Sequence, residues 1–167
     1  MSPSTKTLRV LFLLVSMTAA LPATAQTILL AVGESANGAP VAPPLPAREG
    51  VAGSLFDSGF VVFDLPGGGV PRAPAEMIGV ARAAGADFVL VVRVQYADSS
   101  LGAGALLISA GATFTLTDAA SGVVTAKGEA SASNEKREKN VDREALGREI
   151  GAAVAARVRD ALAPGPR

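Results

Sequence analysis

Residues 81–116 read ARAAGADFVLVVRVQYADSSLGAGALLISAGATFTL, and the rest of the chain can be arranged around them. Ala81 to Ala84 finish a helix, and Gly85 supplies the residue that most easily takes the left-handed conformation of a helix stop. Asp87 to Tyr96 follow as a strand. Phe88, Leu90, Val92, Val94 and Tyr96 share one face, while Val89, Val91, Arg93 and Gln95 share the other. A strand of this pattern belongs in the centre of a sheet, covered on one side and partly covered on the other. Arg93 has two readings: it holds a ligand anion, or it is a solvated or salt-bridged face residue. Asp98 to Gly104 read as a flexible turn. The returning strand then alternates cleanly, with Ile108, Ala110, Ala112, Phe114 and Leu116 inward and Ser109, Thr113, Thr115 and Thr117 outward, as in an antiparallel sheet with one wet face.

Downstream, Asp118 to Gly122 form a tight hairpin with its glycine placed for positive φ. The strand from Val123 to Ser133 puts Val124, Ala126, Ala130 and Ala132 inward and Thr125, Lys127, Glu129 and Ser131 outward. Asn134 to Asn140 are a charge run of mixed sign, a solvated loop or frayed helix start. A closing helix runs from about Val141 to Ala163, with Leu146, Ile150, Val154, Val158 and Leu162 recurring every four residues and flanked by Ala153 and Ala161. Glu144 and Arg148 stand four apart in the favourable order. Pro164 and Gly165 end the helix, and 164–167 are expected to be a disordered tail.

Upstream, Thr27 to Val32 (TILLAV) suit a buried first strand. Gly33 to Pro46, rich in glycine, proline and small polar residues, read as a long loop, either a solvated connector or a functional loop. Pro46 to Ser58 form a modest helix with Leu45, Ala52, Leu55 and Phe56 on its apolar side, and Gly50 and Gly53 weaken it by up to about 1 kcal/mol each. Gly59 caps it, and Phe60 to Leu65 return as a strand. Pro66 to Gly69 lack the lysine and hydroxyl of a phosphate loop and read as a turn. Pro74 opens a helix to Ala84, with Met77, Val80, Ala81 and Ala84 inward.

The fold expected is one α/β (α+β) domain over residues 26–163, a mixed five-stranded sheet in the order β-α-β-α-β-β-β-α. Strands separated by helices pair in parallel through right-handed crossovers, and the last three form a meander.

The first 25 residues set the expected compartment. Lys6 and Arg9 precede the apolar run Leu11 to Val15, and Ala23-Thr24-Ala25 close the segment with small residues at alternate positions. That is the pattern of a secretory signal peptide cleaved near Ala25, with an apolar run too short for a stable membrane span. About 140 residues remain, enough for one domain that buries roughly 70% of its unfolded surface. The chain holds 15 basic and 15 acidic residues, and the leader contains two of the basic ones. The near-neutral remainder argues against nucleic acid as a partner, since that affinity rests on lysine and arginine neutralising phosphates.

With 0 His and 0 Cys, the usual zinc and copper ligand sets cannot be built, and histidine acid/base catalysis and the Ser-His and Cys-His nucleophile pairs are excluded. Neither disulfides nor a lipid-bearing leader cysteine is available. Asp57, Asp64, Asp87 and Asp98 are the carboxylates from which an acid/base pair would have to come, and nothing in the sequence places two of them together. No catalytic residue, cofactor or metal is expected.

The succession FVVFDLP, a helix ending in ARAAGADFVLVVRV, ATFTLTDAASGVVTAKGEA and a C-terminal amphipathic helix resembles the CsgG-like and TolB N-terminal-like periplasmic domains over about Ile28 to Leu162. The resemblance implies a non-enzymatic envelope part that assembles with itself or docks onto other envelope proteins. The elements that carry it are structural, so no functional residue transfers by motif, and neither curli secretion nor Tol function carries over. The expected function is a periplasmic or secreted cell-envelope binding or assembly module. Its candidate partner-binding face is Ser109, Thr113, Thr115, Thr117, Thr125, Lys127, Glu129 and Ser131. Such a row can bind sugar or another strand, although threonine also simply favours half-exposed strands. The alternative is a periplasmic binder of a small apolar or sugar ligand held between helices and sheet, against which the low aromatic content counts.

Overall fold

The computed structural model describes residues 25–41, 46–65, 74–102, 105–133 and 143–163. In chain order these form β1 (Thr27–Ala36), β2 (Ala39–Pro40), α1 (Pro46–Asp57), β3 (Val61–Asp64), α2 (Pro74–Ala84), β4 (Phe88–Gly102), β5 (Ala105–Asp118), β6 (Val124–Ser133) and α3 (Arg143–Leu162). The expected leader, the Pro66–Gly69 turn, the charge run 134–140 and the tail 164–167 lie outside the described residues.

All six strands belong to one mixed sheet, with β4 at its centre as its apolar alternation requires. β1 and β4 pair in parallel, Ile28 opposite Phe88 through to Ala36 opposite Tyr96. The far edge of β1 is shared: β3 runs parallel to its first half and the short β2 antiparallel to its end. On the other side β4, β5 and β6 make the expected meander. α1 lies between β1 and its parallel neighbour β3, and both α1 and α2 lie between β1 and its parallel neighbour β4, since parallel strands need a crossover connection.

The Gly33–Pro46 loop is shorter than the sequence reading had it, and the sheet has six strands where five were expected. β1 continues to Ala36, turns through Asn37 (φ 50) and Gly38 (φ 83), and returns as β2. Asn-Gly is the pair that a two-residue hairpin with positive φ at both positions selects, and the prolines that follow it, Pro40, Pro43, Pro44 and Pro46, obscured it. The Asp98–Gly104 turn is likewise mostly strand. Asp98 pairs with Ile108 and Ser100 with Leu106, with a register irregularity before Gly102 pairs with Ala105. The ladder overrides the poor strand propensity of Asp-Ser-Ser.

Side-chain alternation sends two sets of residues to opposite faces. Ile28, Leu30 and Val32 join Leu90, Val92, Val94, Tyr96, Ala112, Phe114 and Leu116 under α1 and α3, and most of these are fully buried. Leu29, Ala31 and Val89 form a smaller core with Met77 and Ala81 of α2. The α3 stripe is as its four-residue period requires, with Ile150, Val154 and Val158 at 0% exposure; Ala161, however, is exposed.

The inward faces of α1 and α2 differ from the sequence reading. On α1 the buried residues are Ala47, Val51 and Leu55, while Phe56 is 69% exposed. On α2, Ala84 is exposed. The rotation of α1 follows from its contact with α3, which is made backbone to backbone. A Cβ on Gly151 would lie 2.6 Å from the carbonyl oxygen of Ala47, one on Gly50 2.7 Å from that of Arg148, and one on Gly147 2.8 Å from Cβ of Pro46. Three glycines thus let two helices touch along the line Ala47–Val51, which turns Phe56 outward. Gly50, read from sequence as a weakness in α1, is a packing requirement.

Candidate functional site

α2 covers only part of its sheet face. Beyond Val89 and Val91 the outward positions of the strands change from apolar to small and polar, and the apolar cluster under α2 does not extend to them. The registers place Gly33 beside Arg93, Arg93 beside Thr113 and Thr113 beside Glu129 across four adjacent strands. One step along, Ser35, Gln95, Gly111 and Ser131 form a parallel row. Glycine and hydroxyl residues keep this area low, so the longer side chains of Arg93, Gln95 and Glu129 stand above it. A concavity of about 470 Å³ is lined by Arg93, Gln95, Gly111, Thr113, Glu129 and Ser131, together with Ala112, Ala130 and, from α3, Ala153 and Arg157.

Most of the residues singled out from sequence come together here. Thr113 lies opposite Glu129 and Thr115 opposite Lys127. Ser109 and Ser131 share the same face, and Thr117 lies at its far end opposite Val124. Thr125 is exposed but has no register partner. The ladder slips between Leu116, paired with Ala126, and Thr117, paired with Val124, so Thr125 is the extra residue of a β-bulge. The same slip moves Val124 off the core face. It was expected inward and is 51% exposed. β6 pairs with β5 on one edge, and among the described residues no strand takes its other edge.

Arg93 and Gln95 complete the face; the β4 alternation marks both as its polar end, and Arg93 alone also has the ligand-anion reading. Among the described residues no ion pair holds Arg93. Two of the four carboxylates considered for acid/base work, Asp64 and Asp87, have structural partners. Asp64 pairs with Arg48, and Asp87 accepts hydrogen bonds at Oδ2 from the backbone N–H and the hydroxyl of Thr27, both at 2.8 Å. No group of three or more acidic residues able to hold a metal occurs among the described residues.

The residue that sequence reading missed is Glu34, a buried carboxylate at 6% exposure. It continues the inward alternation Ile28, Leu30, Val32, and that period was the signal available for it. Tyr96 donates its hydroxyl to Oε2 at 2.8 Å, and the backbone amide of Arg48 donates to Oε1 at 3.2 Å, with Ala47 as a further backbone donor. These amides are orphan donors of the first turn of α1, and the Glu34 carboxylate accepts from them. Burial raises the Glu34 pKa above its ordinary value, against the opposing effect of the Tyr96 and amide hydrogen bonds. This network ties β1, β4 and α1 together behind the open face and has no access to it.

No family model and no curated protein matches the sequence. Solved structures do match in fold. PelC from Paraburkholderia phytofirmans, a dodecamer, is 18% identical, with 83% of this chain and 91% of that chain covered at a TM-score of 0.57. Lipoprotein GNA1162 from Neisseria meningitidis is 20% identical over 80% of this chain and 98% of its own, at 0.52. The hypothetical protein CT253 from Chlamydia trachomatis is 14% identical over 84% and 100%, at 0.59. At these identities the likeness is one of fold.

Proposed function

We propose that this chain is a non-enzymatic module of the bacterial cell envelope that works through protein–protein contacts, self-association included. The observation that carries the reading is the sheet face around Arg93, Thr113, Glu129 and Ser131, which lies beyond the apolar cluster under α2 and runs into the edge of β6 that no strand takes among the described residues. A polar face of low relief beside an open strand edge suits a second protein surface: main-chain hydrogen bonds would give affinity, and the alternating side chains selectivity. The fold is shared with a dodecameric protein and a lipoprotein, and the leader pattern fits export to the envelope. The CsgG-like and TolB N-terminal-like resemblance belongs to this reading as well.

The test is light scattering of the processed protein, paired with crosslinking in cells of its own source and mass spectrometry of the products. An oligomer, or a near-stoichiometric envelope partner crosslinked through β5 or β6, is the expected result. A strict monomer that crosslinks to nothing removes the basis for the proposal.

A second reading, the binding of a small ligand, draws on the concavity beside Arg93. The space between the sheet and helices α1 and α3 is filled by Val51, Leu55, Ile150 and Val154, all fully buried, so a ligand would take the open face. A rise in melting temperature with added sugars or carboxylates, lost in Arg93→Gln, would favour this reading.

A further inference from the structure

We propose that Gln26 is a modification site: processing after Ala25 makes it the first residue of the mature chain, and its amine then closes onto its own side chain as pyroglutamate. The small-residue pattern Ala23-Thr24-Ala25 places the cut directly before Gln26. This position lies directly before the first strand that the structure describes. Ala25 and Gln26 are exposed and precede β1, whereas the next residue, Thr27, is already held by Asp87 at its backbone N–H and hydroxyl.

The chemistry needs no partner. The neutral α-amine of Gln26 attacks its own side-chain carbonyl carbon Cδ, a C–N bond forms, and the Cδ–Nε2 bond breaks. Ammonia leaves with the proton given up by the amine. The five-membered lactam contains N, Cα, Cβ, Cγ and Cδ. The one atom of Gln26 that the fold grips is its carbonyl oxygen, which accepts from the Val61 amide at 3.0 Å, and that atom is outside the ring. Closing the ring therefore costs no contact of the sheet. It also removes the positive charge of the new terminus from a concavity of about 520 Å³ that Gln26 shares with Arg82, Asp87 and Asp118, leaving the Arg82 guanidinium as the cation there.

The experiment is intact-mass and N-terminal peptide analysis of the full chain expressed with its leader and purified after export. The expected species starts at Gln26, is lighter by one molecule of ammonia, and is blocked to stepwise N-terminal sequencing until pyroglutamyl peptidase is applied. Gln26→Ala should be cut at the same bond and give an open N-terminus reading Ala-Thr-Ile. A principal species that starts at another residue, or that starts at Gln26 with a free amine after prolonged incubation, overturns the proposal. Neither result touches the assembly reading.

Discussion

Glu34 shows how much one side chain can set in this fold. A carboxylate at 6% exposure is tolerated because Tyr96 and the first amides of α1 donate to it, and it is ionised at a cost because burial outweighs them. The sign of the pH effect follows. Between the ordinary value of 4.5 and the raised folded value, the folded chain keeps a proton that the unfolded chain has released. Glu34 therefore contributes stability that is complete below pH 4.5 and is lost as pH rises through the folded value, at about 1.4 kcal/mol for each pH unit that separates the two values. Glu34→Gln should gain on the wild type in melting temperature from pH 4.5 towards neutrality, whereas a variant that loses ground over that interval would contradict the account. Tyr96→Phe leaves Oε2 without its hydroxyl donor and should cost about 1–3 kcal/mol in urea titrations. Asp87→Ala, which leaves the Thr27 amide to water while its hydroxyl keeps the Gly85 carbonyl as acceptor, should cost about 1 kcal/mol, the smaller figure because that site is exposed.

Elements whose period is set by burial were legible from sequence, and those whose shape is set by backbone contacts were not. The stripe of α3 and the double-faced alternation of β4 are dictated by apolar residues alone, and the structure places them as expected. The inward face of α1 depends on Gly50, Gly147 and Gly151 meeting another backbone, and nothing in a hydrophobicity pattern distinguishes such a glycine from a weak spot. The bulge at Thr125 escaped for a similar reason: a slip of one residue leaves no trace in the alternation of small residues around it. The face formed by Thr113, Thr115, Lys127 and Glu129 could be read because it depends only on period two, but its extension to Arg93 and Gln95 required the pairing of β4 with β5. The glycines can be separated by experiment. Gly151→Ala drives a Cβ into Ala47 and Val51 and should cost about 1–3 kcal/mol despite alanine's better helix propensity. Gly53→Ala, in the same helix pair but with nothing within 4 Å, should gain up to about 1 kcal/mol. Equal effects from the two substitutions would remove the close-packing explanation.

The whole molecule has a built side and an open side. α1 and α3 seal one sheet face with the larger core, while among the described residues α2 covers only part of the other, and the remainder is the surface that the assembly proposal uses. If the open face is the assembly surface, a bulky charge there should break association and leave the fold intact. Ser131 is suited to this test: it is exposed, and its register partner is Gly111, so a new side chain meets no like charge directly opposite. Ser131→Arg should weaken assembly at least about tenfold, since a charge trapped at a buried contact costs more than the roughly 1.4 kcal/mol that a factor of ten represents. Its unfolding free energy should stay within about 0.5 kcal/mol of the wild type, as for other surface substitutions. Ala152→Arg, on the exposed flank of α3, should leave both quantities unchanged. Sedimentation across a concentration series reads the first quantity and urea titration the second. Loss of assembly in Ala152→Arg but not in Ser131→Arg would move the contact surface from the sheet to the helices.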